Sequence, residues 1–169
     1  MTKVNDVVDL ETRGNVAVVR VNNPPVNALS RGVRDGLYEA VTKANADGNV
    51  QAIVLVCAGK TFIAGADIRE FGLPPEGRTL PEVMDVIENG KKPVVAAPHG
   101  TALGGGLEVA LSSHYRVALP NARFGLPEVK LGILPGAGGT QRLPRLIGVS
   151  RALELMVSGD QIKAPEALK

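Results

Sequence analysis

The sequence predicts an α/β fold, and three observations carry that prediction. Short apolar runs rich in β-branched residues alternate with longer runs whose apolar residues recur at helical spacing. The chain has 169 residues, 44% of them hydrophobic, which fills one sizeable core and is too few for several domains. Twenty glycines and twelve prolines, with two Tyr, three Phe and no Trp, describe aliphatic packing joined by many special backbone positions.

The elements follow in order. Residues 15–21 (NVAVVRV) are apolar and β-branched and run into the turn-forming NNPP, which predicts a strand and then a loop. From Ser30, a suitable N-cap, Val33, Leu37, Val41 and Ala44 fall on one helical face, and Asp47-Gly48 ends the run. Residues 51–57 are too short and too uniformly apolar for a surface helix and read as a strand buried on both faces, as in parallel sheets. Together these make a βαβ unit. A helix is predicted over 81–88, a buried strand over 93–97 (PVVAA), and a helix over 103–112 that opens on three glycines. A fourth strand is predicted over 115–119. Late helices follow over 138–147 and 150–158, with Gly159 as the C-terminal stop. The closing APEALK begins a helix with Pro165 in its first turn and ends after a few residues, so a truncated chain is expected, with a frayed tail as the alternative.

Several function classes are disfavoured by composition. Lys plus Arg is 19 against 17 for Asp plus Glu, and a net charge of +2 is too small and dispersed for a nucleic-acid surface. The single cysteine, Cys57, permits no internal disulfide and no cysteine metal cluster, and its apolar setting AIVLVCA reads as a buried structural thiol. The N-terminus has no signal-like apolar region, and no apolar stretch approaches the roughly 18 residues of a membrane helix, so a soluble chain is expected. His99 and His114 have no spacing suited to a metal. Ser112 and Ser113 lack the nucleophile elbow of serine hydrolases. Neither glycine cluster completes a P-loop or dinucleotide fingerprint. Arg142 and Arg145 read as solvated or ion-paired.

Three segments hold the unusual residues: 62–68 (FIAGADI), 100–110 (GTALGGGLEVA) and 124–140 (FGLPEVKLGILPGAGGT). The first turns through Gly65 into a short helical stretch near Asp67, gathering free N–H groups that suit negative charge; the simpler role of Asp67 is to cap that stretch. In the second, Gly104, Gly105 and Gly106 precede a helix, so a ligand could lie against main-chain N–H groups as in an oxyanion hole. The alternative is that these glycines only permit tight packing of helix on sheet. Glu108, in the apolar LEVAL, and Glu128, behind Leu126-Pro127, sit where a solubilising carboxylate would not. Partial burial would raise both towards the range useful for acid/base work. Ion-paired surface glutamates are the competing reading.

The motifs NPPVNALS, FIAGADIREF, ALGGGLEVAL and FGLPEVKLGILPGAGGTQRLPRLIG, in this order, resemble the enoyl-CoA hydratase/isomerase (crotonase) superfamily across nearly the whole chain. NPPVN, HYRVA and GLPEVKLGILPGA are most similar to the N-terminal hydratase portion of multifunctional fatty-acid β-oxidation enzymes. The resemblance implies a crotonase-like ββα spiral core over residues 1–169 as a single domain. In the family that domain continues into C-terminal helices, which are expected to be missing here.

By the same resemblance, Ala66 and Gly105 supply the two oxyanion N–H groups, and Glu108 and Glu128 are the paired catalytic acids. Val26, Ala64, Asp67, Ile68 and Arg69 are the implied CoA contacts. The implied reaction adds water to a trans-2-enoyl-CoA to give a 3-hydroxyacyl-CoA, Glu108 acting as base and Glu128 delivering the proton to the α-carbon. Isomerase side activity is compatible with this set. No metal or redox cofactor is required; acyl-CoA is the substrate. The expected partners are that thioester and either further copies of the chain or the rest of a multifunctional polypeptide. The expected location is the cytoplasm in a bacterium and the peroxisome or mitochondrion in a eukaryote. Two alternatives stay open: a non-catalytic acyl-CoA-binding fragment, and another crotonase chemistry such as isomerisation, decarboxylation or thioester hydrolysis.

Overall fold

The computed structural model describes residues 2–169 and arranges the strands in two sheets. The larger contains β1 (Thr2–Lys3), β2 (Val8–Arg13), β3 (Val16–Val21), β4 (Ala52–Cys57), β5 (Val94–Ala96) and β7 (Tyr115–Arg116), in the order β1-β2-β3-β4-β5-β7. The smaller contains β6 (Thr101–Leu103), β8 (Arg123–Gly125) and β9 (Gln161–Lys163). From β3 onward the strands of the large sheet run parallel, Val19 pairing with Leu55 and Leu55 with Ala96. A chain that must return to the same end of a parallel sheet needs a crossover, and helices α1 (Arg31–Ala46) and α2 (Leu80–Glu88) provide the first two.

A repeat runs through the crossovers: a strand in the large sheet, an extended segment in the small layer, then a helix. β5, β6 and α3 (Gly105–Ser112) form one turn of it, and β7, β8 and α4 (Gly139–Ile147) the next. After β4 the small-layer position is taken by Ile63, bridged in parallel to Ala102. Helix α5 (Val149–Ser158) packs on α4, and α6 (Ala164–Ala167) follows β9.

Local chemistry explains the helix ends. Thr79 and Glu82 form a reciprocal capping box at the start of α2. Gly159, left-handed at φ 63°, closes α5 as expected. The core is aliphatic, with Val19, Leu37, Ile53, Leu55, Ile63, Met84 and Ile87 fully enclosed and Phe62 the aromatic among them. Among the described residues no helix is long and apolar enough to cross a membrane.

Some expectations need correction. The helix predicted from residue 103 starts at Gly105. Leu103 belongs to β6, its N–H bonded to the Ile63 carbonyl at 3.1 Å, and Gly104 at φ 52° separates strand from helix. The strand predicted over 115–119 keeps ladder pairing only at Tyr115–Arg116. Beyond it, Val117 and Leu119 donate to the Ala96 and Pro98 carbonyls outside any ladder. β4 is fully buried on one face only, through Ile53 and Leu55, while Val54 and Val56 are half-covered. Cys57 is likewise only half-buried at the end of β4. Desolvation still pushes its thiol up, so it stays protonated at neutral pH. Strands β1, β2, β6, β8 and β9 lie outside the strands that the sequence predicts.

Candidate active site

The site is built where the small layer meets the start of α3. Leu29 and Ala66 pair as an isolated parallel bridge, with Leu29 N–H bonded to the Gly65 carbonyl at 2.9 Å. In parallel pairing, alternate peptide groups face away from the partner, so the Ala66 N–H is turned off Leu29. It makes no hydrogen bond among the described residues. The N–H of Gly105 is equally free, because the first N–H groups of a helix have no carbonyl within their own helix.

Close approach of backbones requires the glycines here. A Cβ on Gly105 would lie 4.0 Å from the Ala66 nitrogen and press on Leu29 and Leu80, so the two donor segments are neighbours. A Cβ on Gly106 would collide with the Ile63 carbonyl. Beside them a cleft of about 240 Å³ is lined by Leu29, Ala66, Thr79 and Leu80 together with the 75–78 loop. Neither glutamate lines that cleft; Glu128 lies instead against Gly104, one residue before the Gly105 donor.

Glu108 projects from α3 and is 3% exposed. Its Oε1 accepts from Ala137 N–H at 2.9 Å and from Gly139 N–H at 2.8 Å. Burial pushes this carboxyl up, and the Gly139 and Ala137 bonds and the Arg142 charge partly offset the rise. Glu128 sits in the 3-10 segment Pro127–Leu131, 8% exposed. Its Oε1 would be 3.1 Å from a Cβ on Gly104, and its Oε2 is buried with no hydrogen-bond partner among the described residues. Burial raises Glu128 as well, a bond from its own backbone N–H partly offsets this, and the charge of Glu108 raises it further. The two carboxyls therefore feel one another but are not equivalent: two N–H donors favour ionised Glu108, while Glu128 has an unmet oxygen that favours the proton.

Of the expected CoA contacts, Val26, Ile68 and Arg69 are exposed, Ala64 is half-buried and Asp67 is buried; none lines the cleft. Val26 is exposed, and its carbonyl accepts from Ala64 N–H at 3.2 Å, which aligns the two segments. Asp67 caps the 3-10 turn Ile68–Glu70 through Arg69 N–H and also takes the Arg69 guanidinium at 2.9 and 2.7 Å, which holds it below the usual carboxylate range. Ile68 and Arg69 point outward, Ile68 being 69% exposed. Of the residues set aside, His114 accepts from Val94 N–H at 3.1 Å, and Ser112 and Ser113 donate to the Val109 carbonyl, all in structural bonds.

Ala137 and Gly139 were missed as functional positions. The signal was present in PGAGGT: a Cβ on Gly139 would meet Pro135 Cβ at 2.9 Å and Glu108 Oε1 at 3.0 Å, so glycine is what lets this backbone reach the carboxylate.

Residues 11–169 match the Enoyl-CoA hydratase/isomerase family. The chain is 55% identical over 155 residues to a peroxisomal bifunctional enzyme of Danio rerio, covering 92% of this chain and 22% of that one. It is 44% identical over 174 residues to a glyoxysomal fatty acid beta-oxidation multifunctional protein of Cucumis sativus, covering 98% and 24%. Among solved structures, an enoyl-CoA hydratase from Bacillus anthracis superposes with a TM-score of 0.89 at 38% identity, over 96% of this chain and 66% of that one. The chain thus spans under a quarter of the two multifunctional relatives and about two thirds of the solved hydratase. The likeness to multifunctional β-oxidation enzymes and the crotonase-type α/β fold, both expected from the motifs, are borne out. On sequence and fold together, the chain belongs to the enoyl-CoA hydratase/isomerase family.

Proposed function

We propose that the chain is a hydratase domain that adds water to a trans-2-enoyl-CoA, giving a 3-hydroxyacyl-CoA, within peroxisomal fatty-acid β-oxidation. The reading is supported by two unengaged main-chain donors, on Ala66 and Gly105, next to a glycine segment against which Glu128 lies and beyond which Glu108 projects, the two carboxyls being buried in unequal surroundings.

The thioester oxygen lies against the Ala66 and Gly105 N–H groups, which draws electron density from the double bond and makes the β-carbon electrophilic. Charge accumulates on that oxygen as the reaction proceeds, so the donors bind the transition state more tightly than the substrate, each worth about 3 kcal/mol. Glu108, whose ionised form the Ala137 and Gly139 N–H groups favour, takes a proton from a water as the water oxygen bonds to the β-carbon. The enolate then collapses, and its α-carbon takes the proton that Glu128 held. A proton shift from Glu108 to Glu128 restores the starting state, so one water is added overall. The cleft beside Ala66, lined by Leu29 and Leu80, gives the thioester access to the Ala66 N–H, and Val26, Ala64, Asp67, Ile68 and Arg69 are the contacts proposed for the CoA portion.

Crotonyl-CoA mixed with the protein tests this through loss of the conjugated enoyl-thioester absorbance. Loss of absorbance is expected, and Glu108→Gln is expected to slow it by about 10²–10⁴-fold, the usual contribution of a positioned acid or base. Binding without turnover would make the chain an acyl-CoA-binding module instead, and unchanged hydration in Glu108→Gln would remove that residue from the chemistry.

A further inference from the structure

We propose that Arg142, braced by Glu88, is a positioning residue that fixes Glu108 by clamping the backbone of residues 137–139. The proposal rests on the reading of Glu108 as the base.

Three arms of the guanidinium define the clamp. Nε and Nη2 of Arg142 meet the two oxygens of Glu88 on α2 at 3.1 and 2.5 Å, a bidentate geometry that fixes the plane of the group. Nη1 then donates to the Ala137 carbonyl at 3.0 Å and lies 3.6 Å from the Met84 sulfur. That carbonyl belongs to the peptide unit between residues 137 and 138. The units on either side of it carry the Ala137 and Gly139 N–H groups that hold Glu108 Oε1. Fixing the central unit therefore fixes the direction of both donors.

Gly138 fits this arrangement and little else would. Its φ is 105°, and a Cβ there would collide with Nη1 of Arg142. The backbone has been left bare where the guanidinium lies on it. Stability alone does not account for the pair, because Arg142 and Glu88 side chains are 21% and 44% exposed, and ion pairs in such places contribute little. What the pair adds is aim. With Oε1 tied to the loop, the other carboxylate oxygen is the one left to take the proton from water.

Arg142→Gln, Arg142→Lys and Glu88→Gln in the full chain test the clamp by two independent readouts. In Arg142→Gln, kcat for crotonyl-CoA hydration is expected to fall roughly tenfold to a hundredfold with KM changed less than about twofold, the pattern of a misdirected catalytic group. Arg142→Lys is expected to recover only part of this, since one ammonium cannot span Glu88 and the Ala137 carbonyl together. Glu88→Gln should give a smaller fall in the same direction. Backbone amide exchange at Ala137 and Gly139, followed by NMR, should quicken in Arg142→Gln while amides of β4 keep their protection. Unchanged exchange at those two amides, or a loss of protection shared equally with β4, overturns the proposal. If the parent chain does not hydrate crotonyl-CoA, the hydratase reading fails, and amide exchange still decides whether the clamp exists.

Discussion

Glu108 and Glu128 are chemically the same side chain held in two surroundings. One oxygen of Glu108 receives two main-chain donors, whereas Glu128 keeps a buried oxygen without one. Both are raised above the usual 4.5, so each binds its proton more tightly in the fold than in the unfolded chain. Such a group supports stability fully below the unfolded value, and that support is lost as pH rises through the raised folded value. Glu128→Gln keeps the shape and removes the ionisation. It is therefore expected to melt higher than the parent chain near pH 7, with the gap closing as pH falls from the raised folded value towards 4.5. Thermal melts across that range check the direction. The two carboxyls were legible in the sequence because each interrupts an apolar segment. The donors to Glu108 were not, because they lie 29 and 31 residues away and become its neighbours only through the fold.

At the level of elements, the start of α3 shows how little room the glycine triplet leaves. Gly106 faces the Ile63 carbonyl, which is fixed by its bond from Leu103 N–H, whereas Gly105 faces the side-chain methyl ends of Leu29 and Leu80 rather than backbone. Gly106→Ala should therefore cost about 1–3 kcal/mol as an overpacked position. Gly105→Ala should cost clearly less and keep its N–H donor. Urea unfolding of the two variants side by side gives the comparison. The glycines announced a special helix start in the sequence, but not that Leu103 would be claimed by a strand. That outcome depends on Ile63, some forty residues earlier, offering its carbonyl. Helix α1 was legible because Val33, Leu37, Val41 and Ala44 make a face from the local sequence alone. Strands of three residues such as β8 and β9 offer no periodicity long enough to detect.

Across the whole molecule, Phe62 occupies the place where the large sheet hands the chain to the small layer. It is fully enclosed, its N–H is bonded to the His99 carbonyl at 2.9 Å, and it immediately precedes the segment that carries Ala66. Phe62→Ala should cost about 3–5 kcal/mol through the cavity it leaves. Crotonyl-CoA turnover should fall with it, and guanidinium denaturation with a parallel assay measures both. The parallel run β3, β4, β5 was foreseeable from uniformly apolar segments separated by helical ones, while the second sheet was not, since it is assembled from pieces of different crossovers.

That parallel run has an evolutionary consequence. Three neighbouring strands release the chain over the same lip of the sheet, after Val21, Cys57 and Ala96, and the segments bearing Val26, Ala66 and Gly105 all issue from there. Natural variation can lengthen, shorten or recolour those spans and so redirect the molecule toward other ligands, while Ile53, Leu55 and Val94 beneath remain untouched.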